Sequence, residues 1–275
     1  MRLVTISWVR NEADIIEAFV RHHAPFADRM IIIDNGSTDD TPAILASLND
    51  EGLPLDLRGD PTPVHHQSKA LTALLREAAA LDADWILPLD ADEFLAVHGS
   101  TTLDAALNAA PRDAVTLLPW KTYVPRPSDS ASEPSPPRRI RYRRDEESPQ
   151  FHKALVPGPL ARLPDASLSL GSHLLYDGTS GPACRSVFST SLALAHFPVR
   201  NSRQFASKIA QGWARHLANP DRKPGEMYHW EKLLDRCASP APLTPEELEH
   251  IALTYARTDD AVPGVVPDPL MSGID

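Results

Sequence analysis

Residues 30–41 read MIIIDNGSTDDT, and this stretch decides the fold. Met30–Ile33 is too short and too uniformly apolar for a strand with one face in water, so it predicts a strand buried on both faces of a parallel sheet. The polar turn Asp34–Asp40 follows, and Thr41 and Pro42 then cap and open a helix. A buried strand, a polar turn and a helix in this order form one unit of an α/β fold.

The same unit recurs on both sides of this stretch. Before it, the apolar strand Leu3–Trp8 leads to a helix that follows Asn11. After it, the sequence predicts strands at Leu53–Leu57 and Trp85–Leu89, with an amphipathic helix at Gln67–Leu81 between them. Strands that alternate with helices form right-handed crossovers. We therefore predict a Rossmann-type α/β sandwich with a central, mostly parallel sheet and helices on both faces.

The pattern changes after a strand predicted at Val115–Leu118. The segment Pro125–Pro137 is rich in Pro and Ser, which predicts a long loop. The basic run Arg138–Arg144 fits either an edge strand protected by its charge or an anion-binding strip. The remaining predicted strands and helices are Phe151–Val156, Ser191–Ala195, Ser202–Leu217, Tyr228–Arg236 and Thr244–Arg257.

Composition excludes several classes of protein. The chain has 275 residues with 27 Lys and Arg against 37 Asp and Glu, a net charge of −10 that argues against a nucleic-acid partner. No apolar run approaches the ~20 residues of a membrane helix, and the amino terminus lacks the apolar region of a signal peptide. Cys184 and Cys237 are far apart, which supports neither a disulfide framework nor a zinc cluster. These features predict a cytoplasmic protein without a transmembrane segment.

Polar residues follow three of the predicted strands at the point where each strand ends. They are Arg10-Asn11-Glu12, Asp34–Ser37 and Asp90–Glu93. Ligands of open parallel sheets bind at the carboxyl ends of the strands, where helix amino termini also point. The sequence therefore predicts a binding site at this edge of the sheet.

Asp90 and Asp92 lie two residues apart at the end of an apolar strand. An exposed pair of this kind is commonly only solvated, but two like charges so close repel unless a cation lies between them. Carboxylate oxygens suit Mg²⁺ or Mn²⁺, and Mg²⁺ is usually held by one or two carboxylates and phosphate oxygens. The pair therefore predicts a divalent cation and a diphosphate ligand. Asp34 is placed to accept hydrogen bonds from a base or ribose, with turn formation as its alternative role.

Four motifs resemble the GT-A nucleotide-sugar glycosyltransferases of the family 2 type. They are VRNE at 9–12, DNGSTDDT at 34–41, LDADEF at 89–94 and HFPVR at 196–200. The subgroup that the chain resembles carries an Asn-Glu start, an Asp-x-Asp-Glu-Phe block and a late His-aromatic-x-x-Arg segment. The resemblance covers about residues 3–97 and 170–215. It implies a GT-A-like catalytic domain over residues 1–237, with a nucleotide-binding half at 1–97 and an acceptor- and metal-binding half at 98–237. A C-terminal helix and tail then follow at 238–275.

The resemblance also implies roles for individual residues. The nucleoside would be bound by Arg10, Glu12, Asp34, Lys69 and Asp90. The divalent cation, Mn²⁺ or Mg²⁺, would be bound directly by Asp92, together with Asp90 and His196. The leaving diphosphate would be neutralised by Arg200 and Lys208, and the acceptor sugar would stack on Tyr228 and Trp230. Plain surface positions are the alternative for Lys69 and Lys208, and core packing is the alternative for at least one of the two aromatic residues.

The general base is the weakest part of the resemblance. Family 2 enzymes are inverting in general, which implies direct displacement with a base that deprotonates the acceptor. The usual base belongs to a Glu-Asp pair beyond the metal motif, and this sequence has no clear pair there. The candidate catalytic residues are therefore Asp177 and His173, and His173 also competes with His196 for the cation.

The leading hypothesis is a metal-dependent glycosyltransferase that moves a sugar from a UDP- or GDP-linked donor to an acceptor hydroxyl, on surface polysaccharide or another glycan. A non-catalytic nucleotide- or glycan-binding module is the alternative, because the base is unassigned. A sugar nucleotidyltransferase is disfavoured, since the amino terminus lacks a Gly-rich phosphate loop with Arg and Lys. An aspartyl-phosphate phosphatase is disfavoured because Glu93 and Phe94 stand where its small hydroxyl residue is expected.

Overall fold

The computed structural model describes residues 1–60, 62, 66–178, 183–220, 222, 228–259 and 261–270, without the side chains of Tyr228 and His229. Its strands are β1 (Leu3–Val9), β2 (Arg29–Asp34), β3 (Leu55–Gly59), β4 (Trp85–Pro88), β5 (Glu93–Val97), β6 (Val115–Thr122), β7 (Tyr142–Arg144), β8 (His152–Pro157), β9 (Ala166–Leu168), β10 (Leu175–Asp177), β11 (Ser186–Phe188), β12 (Leu192–His196) and β13 (Val265–Pro267). Its helices are α1 (Ile16–His23), α2 (Thr41–Asp50), α3 (Gln67–Ala80), α4 (Leu103–Ala109), α5 (Pro136–Arg139), α6 (Gly158–Ala161), α7 (Ser202–Ala218), α8 (Tyr228–Glu231), α9 (Leu234–Cys237) and α10 (Pro245–Thr254).

The largest sheet has the strand order β3-β2-β1-β4-β8-β6-β12-β5, and β11 pairs with β6. Strands β3, β2, β1 and β4 are parallel to their neighbours, whereas β8 runs antiparallel to both β4 and β6. Helices flank the sheet, with α3 against β1 and β4 and α1 against β5. The predicted fold class is therefore confirmed: a GT-A-like, Rossmann-type α/β fold with a mostly parallel central sheet.

Strand β1 is buried along its whole length. Val4 and Ile6 pack with the apolar stripe of α3, and Thr5 and Ser7 on the opposite face are also fully buried. Both faces of the strand are therefore covered, as in the central strand of a parallel sheet, although Thr5 and Ser7 alternate with apolar residues.

The register of the parallel strands aligns their carboxyl ends. Val9 pairs with Asp34, and Asp34 pairs with Gly59 on the next strand. The backbone nitrogen of Leu89 donates to the carbonyl oxygen of Ile6 at 3.0 Å, which places the end of β4 beside β1. The residues that follow these four strands therefore share one edge of the sheet.

The chain forms two compact units. The first comprises residues 1–61, 66–120 and 150–195 and carries the large sheet; the second comprises residues 62–65, 121–149 and 196–275. The proposed division into residues 1–237 and 238–275 stays a prediction. No helix in the described part of the chain is both long and apolar enough to cross a membrane.

The basic run stabilises the second unit from within. Arg144 is buried and donates to the carbonyl oxygens of Ala252 and Tyr255. Arg143 pairs with Asp268 at 2.6 Å. Arg143 and Arg144 are therefore engaged by the protein itself, whereas Arg138 and Arg141 are exposed.

The sequence misjudged several short elements. The strand predicted over Arg138–Arg144 is confined to β7, because Pro136 and Pro137 open the helical turn α5 and lack the N–H groups that a strand needs. The helix predicted over Tyr228–Arg236 is divided into α8 and α9. Strand β5 was not predicted, and elements this short carry too few residues to show a period.

Two buried histidines join α1 to β5. Nε2 of His22 lies 2.8 Å from the carbonyl oxygen of Leu95. Nδ1 of His23 donates to the carbonyl oxygen of Phe19 at 2.8 Å, and its Nε2 accepts from the backbone nitrogen of Leu95 at 3.2 Å. Both bonds of His23 require a neutral ring. Burial, and then the adjacent His22, hold the pKa of His23 well below its usual value.

We predict that the protein loses stability as the pH falls through about 6.5. The unfolded chain binds a proton at His23 near this pH and the folded chain does not. The free energy of unfolding therefore decreases as the pH falls from about 6.5 toward the lowered pKa that His23 has in the folded chain. Between about pH 7 and 5.5 the loss from His23 is about 1 kcal/mol. Urea denaturation of His23→Gln should show a pH dependence smaller by that amount. His250→Gln, an exposed control, should behave like the unmodified chain. An unchanged pH dependence in His23→Gln would contradict this account.

Candidate functional site

Asn35 ties together the ends of three strands. It is fully buried; its backbone nitrogen donates to the carbonyl oxygen of Val9 at 2.9 Å, and its Nδ2 donates to that of Asp60 at 2.8 Å. Nη1 of Arg10 donates in turn to the carbonyl oxygen of Asn35 at 2.5 Å. These bonds fix the loops after β1, β2 and β3, so the structure brings Arg10 and Asp34 to one edge, as predicted.

The loop that follows Asp34 orients its carboxylate. The backbone nitrogen and Oγ of Ser37 both donate to Asp34, and this Oγ accepts from the backbone nitrogen of Asn11 at 2.9 Å. Asn11 has a φ of 54°, which asparagine tolerates, and its Oδ1 accepts from the backbone nitrogen of Thr38 at 2.7 Å. Asp34 thus forms a turn and presents a half-buried carboxylate at the same time.

Glu12 and Asp39 connect the first loop to the start of α2. The backbone nitrogen of Glu12 donates to Oγ1 of Thr41 at 2.8 Å. The carboxylate of Asp39 accepts from the backbone nitrogens of Ala13 and Thr41 at 3.1 and 3.0 Å. Asp39 is therefore a turn residue, whereas Glu12 is held by its backbone at the same edge as Arg10.

Donors engage both carboxylate oxygens of Asp90. Nε2 of Gln67, the first residue of α3, donates to Oδ1 at 2.6 Å, and Nζ of Lys153 donates to Oδ2 at 2.7 Å. The same Nζ lies 3.3 Å from Oε2 of Glu93. The side chains of Lys153 and Glu93 are fully buried, while that of Asp90 is 32% exposed. The Asp90 carboxylate is therefore fixed in orientation and still reachable by a ligand.

Burial and neighbouring charges shift the pKa values of Glu93 and Lys153. Burial raises the pKa of Glu93 to about 8; the Lys153 ammonium opposes this rise, and the charges of Asp90 and Asp92 add to it. Oε1 of Glu93 is buried and has no hydrogen-bond partner among the described residues. Burial lowers the pKa of Lys153, but Asp90 and Glu93 more than offset this effect. Lys153 is therefore charged at neutral pH, and the carboxylate that it contacts most closely is that of Asp90.

Sequence reasoning missed Lys153. The residue lies in FHKALV at 151–156, for which the sequence pattern predicts only a strand. A lysine inside an apolar strand is the signal that identifies it, because a buried ammonium needs a carboxylate partner.

Asp92 lies between β4 and β5 and is nearly buried. Among the residues that the structure describes, no group of three or more His, Cys, Asp or Glu side chains could hold a metal ion. Mg²⁺ is usually held by one or two carboxylates together with phosphate oxygens of a ligand. The hard carboxylate oxygens fit an ion shared with a ligand in this way.

His173 lies in a cluster of rings. Its Nδ1 hydrogen-bonds the carbonyl oxygen of His152; because a carbonyl only accepts, Nδ1 carries the proton and Nε2 carries the lone pair. The rings of Trp120 and Phe151 each lie 5.7 Å from its ring. At Gly171, with a φ of 69°, a Cβ would lie 2.5 Å from Nε2. Burial lowers the pKa of His173 to about 4, so the ring is neutral at neutral pH.

Asp177 is exposed at the end of β10, opposite Ala166 of β9. The carbonyl oxygen of Ala166 also accepts from Arg76 of α3 at 3.2 Å. The assignment of Asp177 as the base stays a prediction. Lys69 is exposed on the same turn of α3 as Gln67, which leaves its predicted role and its surface alternative open.

Three further candidates lie in the second unit. His196 is nearly buried, and its ring lies 6.1 Å from that of Tyr255. Arg200 is buried and donates from Nη1 to the carbonyl oxygen of Phe197 at 3.3 Å. Lys208 is half-exposed on α7. Their assignment to the cation and the diphosphate stays a prediction.

Trp230 is engaged in packing. Its Nε1 donates to the hydroxyl of Tyr255 at 3.2 Å, and a Cβ on Gly212 of α7 would lie 2.0 Å from its ring. These contacts favour the packing alternative over stacking on an acceptor sugar. The side chain of Tyr228 lies outside the described part of the structure.

Comparison with known families identifies this arrangement. The sequence profile described as glycosyl transferase family 2 matches residues 6–155, more than half of the chain. The chain belongs to glycosyl transferase family 2. The matched region contains Arg10, Asp34, Asp90 and Lys153, and it confirms the family resemblance that the sequence motifs carried.

Parts of this family 2 chain are similar to longer proteins. A TPR repeat-containing protein of Synechococcus elongatus is 32% identical over 116 residues, which cover 42% of this chain and 27% of that protein. An uncharacterized protein of Mycobacterium tuberculosis is 33% identical over 121 residues, which cover 43% of this chain and 29% of that protein. The chain thus spans less than a third of the length of these curated relatives.

Two solved structures have low overall similarity to the family 2 chain. The mannosyltransferase PcManGT from Pyrobaculum calidifontis, solved in complex with GDP-Man and Mn²⁺, is 23% identical with a TM-score of 0.34, covering 42% of this chain and 35% of that one. The crystal structure of a mycobacterial protein is 16% identical with a TM-score of 0.38, covering 80% of this chain and 76% of that one. Scores this low assign no function.

We predict that Asn35→Asp destabilises the family 2 chain by at least about 2 kcal/mol. The change replaces the buried amide donor by a carboxylate that faces the carbonyl oxygen of Asp60. Asn108→Asp, at an exposed position of α4, should stay within about 0.5 kcal/mol of the unmodified chain. Urea denaturation measures both. Equal stability of the two variants would show that Asn35 does not hold the loops together.

Proposed function

We propose that this chain is a metal-dependent glycosyltransferase that moves a sugar from a nucleotide-diphosphate donor to an acceptor hydroxyl. The observation that supports it best is the shared sheet edge at which Asp34 ends β2 and Asp90 and Asp92 follow β4. Membership of glycosyl transferase family 2 supports glycosyl transfer as the reaction. Two oriented carboxylates at this edge support recognition of a nucleoside.

In this proposal the nucleoside is bound by Asp34, Asp90, Arg10 and Glu12. The Asp34 carboxylate, oriented by its loop, accepts hydrogen bonds from the base or ribose, and Asp90 accepts from a ribose hydroxyl. Lys69, on the first turn of α3, reaches the base or the diphosphate. UDP- and GDP-linked sugars both fit, because each nucleoside offers N–H and hydroxyl donors to carboxylates.

We assign the cation, Mn²⁺ or Mg²⁺, to Asp92 and the diphosphate oxygens. When bound, the ion neutralises charge on the leaving diphosphate. His196 is the proposed additional protein ligand, and an imidazole would favour Mn²⁺. Arg200 and Lys208 are the proposed partners of the diphosphate, because both side chains are cationic.

The proposed transfer inverts the anomeric carbon. The acceptor oxygen bonds to this carbon as the bond to the diphosphate oxygen breaks, and the acceptor proton passes to a base. We assign the base to His173, since its Nδ1 bond leaves the Nε2 lone pair available and its pKa of about 4 keeps the ring unprotonated. Asp177 is the alternative base.

Asp92→Asn tests the cation site, because it removes the charged ligand and keeps the size of the side chain. We expect Mn²⁺-dependent binding of GDP or UDP to weaken at least about tenfold, and release of nucleotide diphosphate from the donor sugar to be lost. Asp104→Asn, at an exposed position of α4, is the matched control. Calorimetry with and without Mn²⁺ measures the binding.

Full Mn²⁺-dependent activity in Asp92→Asn would contradict the assignment of the cation. Nucleotide binding by the unmodified chain without turnover of UDP- or GDP-sugars would contradict the proposed transferase and favour a non-catalytic binding module.

The pH profile tests the base. A His173 with a pKa of about 4 gives a kcat/KM that is flat from about pH 5.5 to 8. An imidazole with an ordinary pKa would instead lower kcat/KM to half of its high-pH value at about pH 6.5. His173→Asn should lower the transfer rate about 10²- to 10⁴-fold without weakening nucleotide binding. If Asp177→Asn abolishes transfer and His173→Asn does not, the base is Asp177.

A further inference from the structure

The proposed function leaves the buried ammonium of Lys153 without a role. Its Nζ lies 2.7 Å from Oδ2 of Asp90 and 3.3 Å from Oε2 of Glu93, and the side chain is fully buried on β8. Its strand partner in the antiparallel register is the apolar Leu118. A lone ammonium is costly to bury, so its position is maintained by the carboxyl groups that surround it.

Lys153 and Gln67 together determine what Asp90 is able to bind. Each takes one of the two carboxylate oxygens, so the carboxylate cannot rotate without losing a charge-assisted hydrogen bond. A divalent cation on Asp90 would lie close to the ammonium, and the two positive charges would repel each other. A neutral hydroxyl donor meets no such repulsion, and each carboxylate oxygen still has a lone pair to offer it.

We propose that Lys153 is a positioning residue that reserves Asp90 for the nucleoside and excludes it from the coordination of the divalent cation, which is left to Asp92. The inference rests on the proposed function for the identity of the two ligands. It gives separate roles to two aspartates that are two residues apart, and the separation is made by a lysine from a distant part of the chain.

A positioning role and a merely structural role predict opposite changes in Mn²⁺ affinity when Lys153 is lost. If Lys153 only supports the fold, its loss weakens the binding of cation and nucleotide alike. If Lys153 keeps Asp90 from the cation, its loss frees a carboxylate oxygen and removes a repelling charge. The cation then binds more tightly, while the nucleoside loses an oriented acceptor and binds more weakly.

The test measures Mn²⁺ alone on the full chain by the electron paramagnetic resonance of the free ion, and metal-free GDP or UDP by calorimetry. Lys153→Met should bind Mn²⁺ about tenfold more tightly and bind the nucleotide about tenfold more weakly. Lys153→Arg keeps a positively charged side chain at this position, so this variant should keep the Mn²⁺ affinity of the unmodified chain. Lys232→Met, at an exposed position, is the control for the loss of one positive charge. A folded Lys153→Met with unchanged or weaker Mn²⁺ binding overturns the proposal.

Asp90→Asn and Asp92→Asn answer the same question if Lys153→Met does not fold. Asp90→Asn should keep the Mn²⁺ affinity within about twofold and lose nucleotide affinity, whereas Asp92→Asn should lose about tenfold or more in Mn²⁺ affinity. An equal loss of Mn²⁺ binding in both variants identifies Asp90 as a metal ligand and overturns the proposal.

Failure of the inference and failure of the proposed function are distinguishable. Absence of donor turnover overturns the transferase, while the Mn²⁺ comparison between the variants still decides the role of Lys153. Normal turnover with Mn²⁺ bound through Asp90 overturns the role of Lys153 alone. An unmodified chain that binds no Mn²⁺, with or without GDP, overturns both.

Discussion

Parallel pairing forces β1, β2, β3 and β4 to end at the same edge, and the candidate site depends on this constraint. Neighbouring parallel strands run in the same direction, so the loops that leave them meet. Once they meet, their buried backbone groups need partners. Asn35 donates hydrogen bonds to the carbonyl oxygens of Val9 and Asp60. The hydroxyl of Ser37 joins the first loop to Asp34. The side chains that organise the edge therefore stabilise the loops before they meet any ligand.

A second constraint is the balance of charge at the end of β4. Asp90, Asp92 and Glu93 lie within four consecutive residues, and Glu93 points into the core at the start of β5. The fold accommodates them in two ways: burial raises the pKa of Glu93, and the ammonium of Lys153 from β8 pairs with Asp90. A carboxylate held this way needs little reorganisation when a ligand arrives, which is the usual requirement of a binding site for polar groups.

Much of the fold was predictable because its signals are local. The helix predicted to begin at Gln67 begins there as α3, and the helix predicted from Thr244 is α10, which opens with a capping box between Thr244 and Glu247. Asp34 and Asp90 were identified because each follows an apolar strand directly. Strand β5 and the divided helix at α8 and α9 were missed, since segments this short carry no period and are fixed by the elements they pack against.

The sequence by itself determined the α/β class, the family and the edge at which polar residues gather, because strand hydrophobicity, turn residues and the four motifs are all read along the chain. Only the tertiary structure decided how those residues are used. It paired Asp90 with Lys153, fixed the tautomer of His173 through the carbonyl of His152, and packed Trp230 on Gly212. Each of these depends on two groups far apart in sequence or on the burial of one, and a pattern of neighbouring residues encodes neither distance nor desolvation.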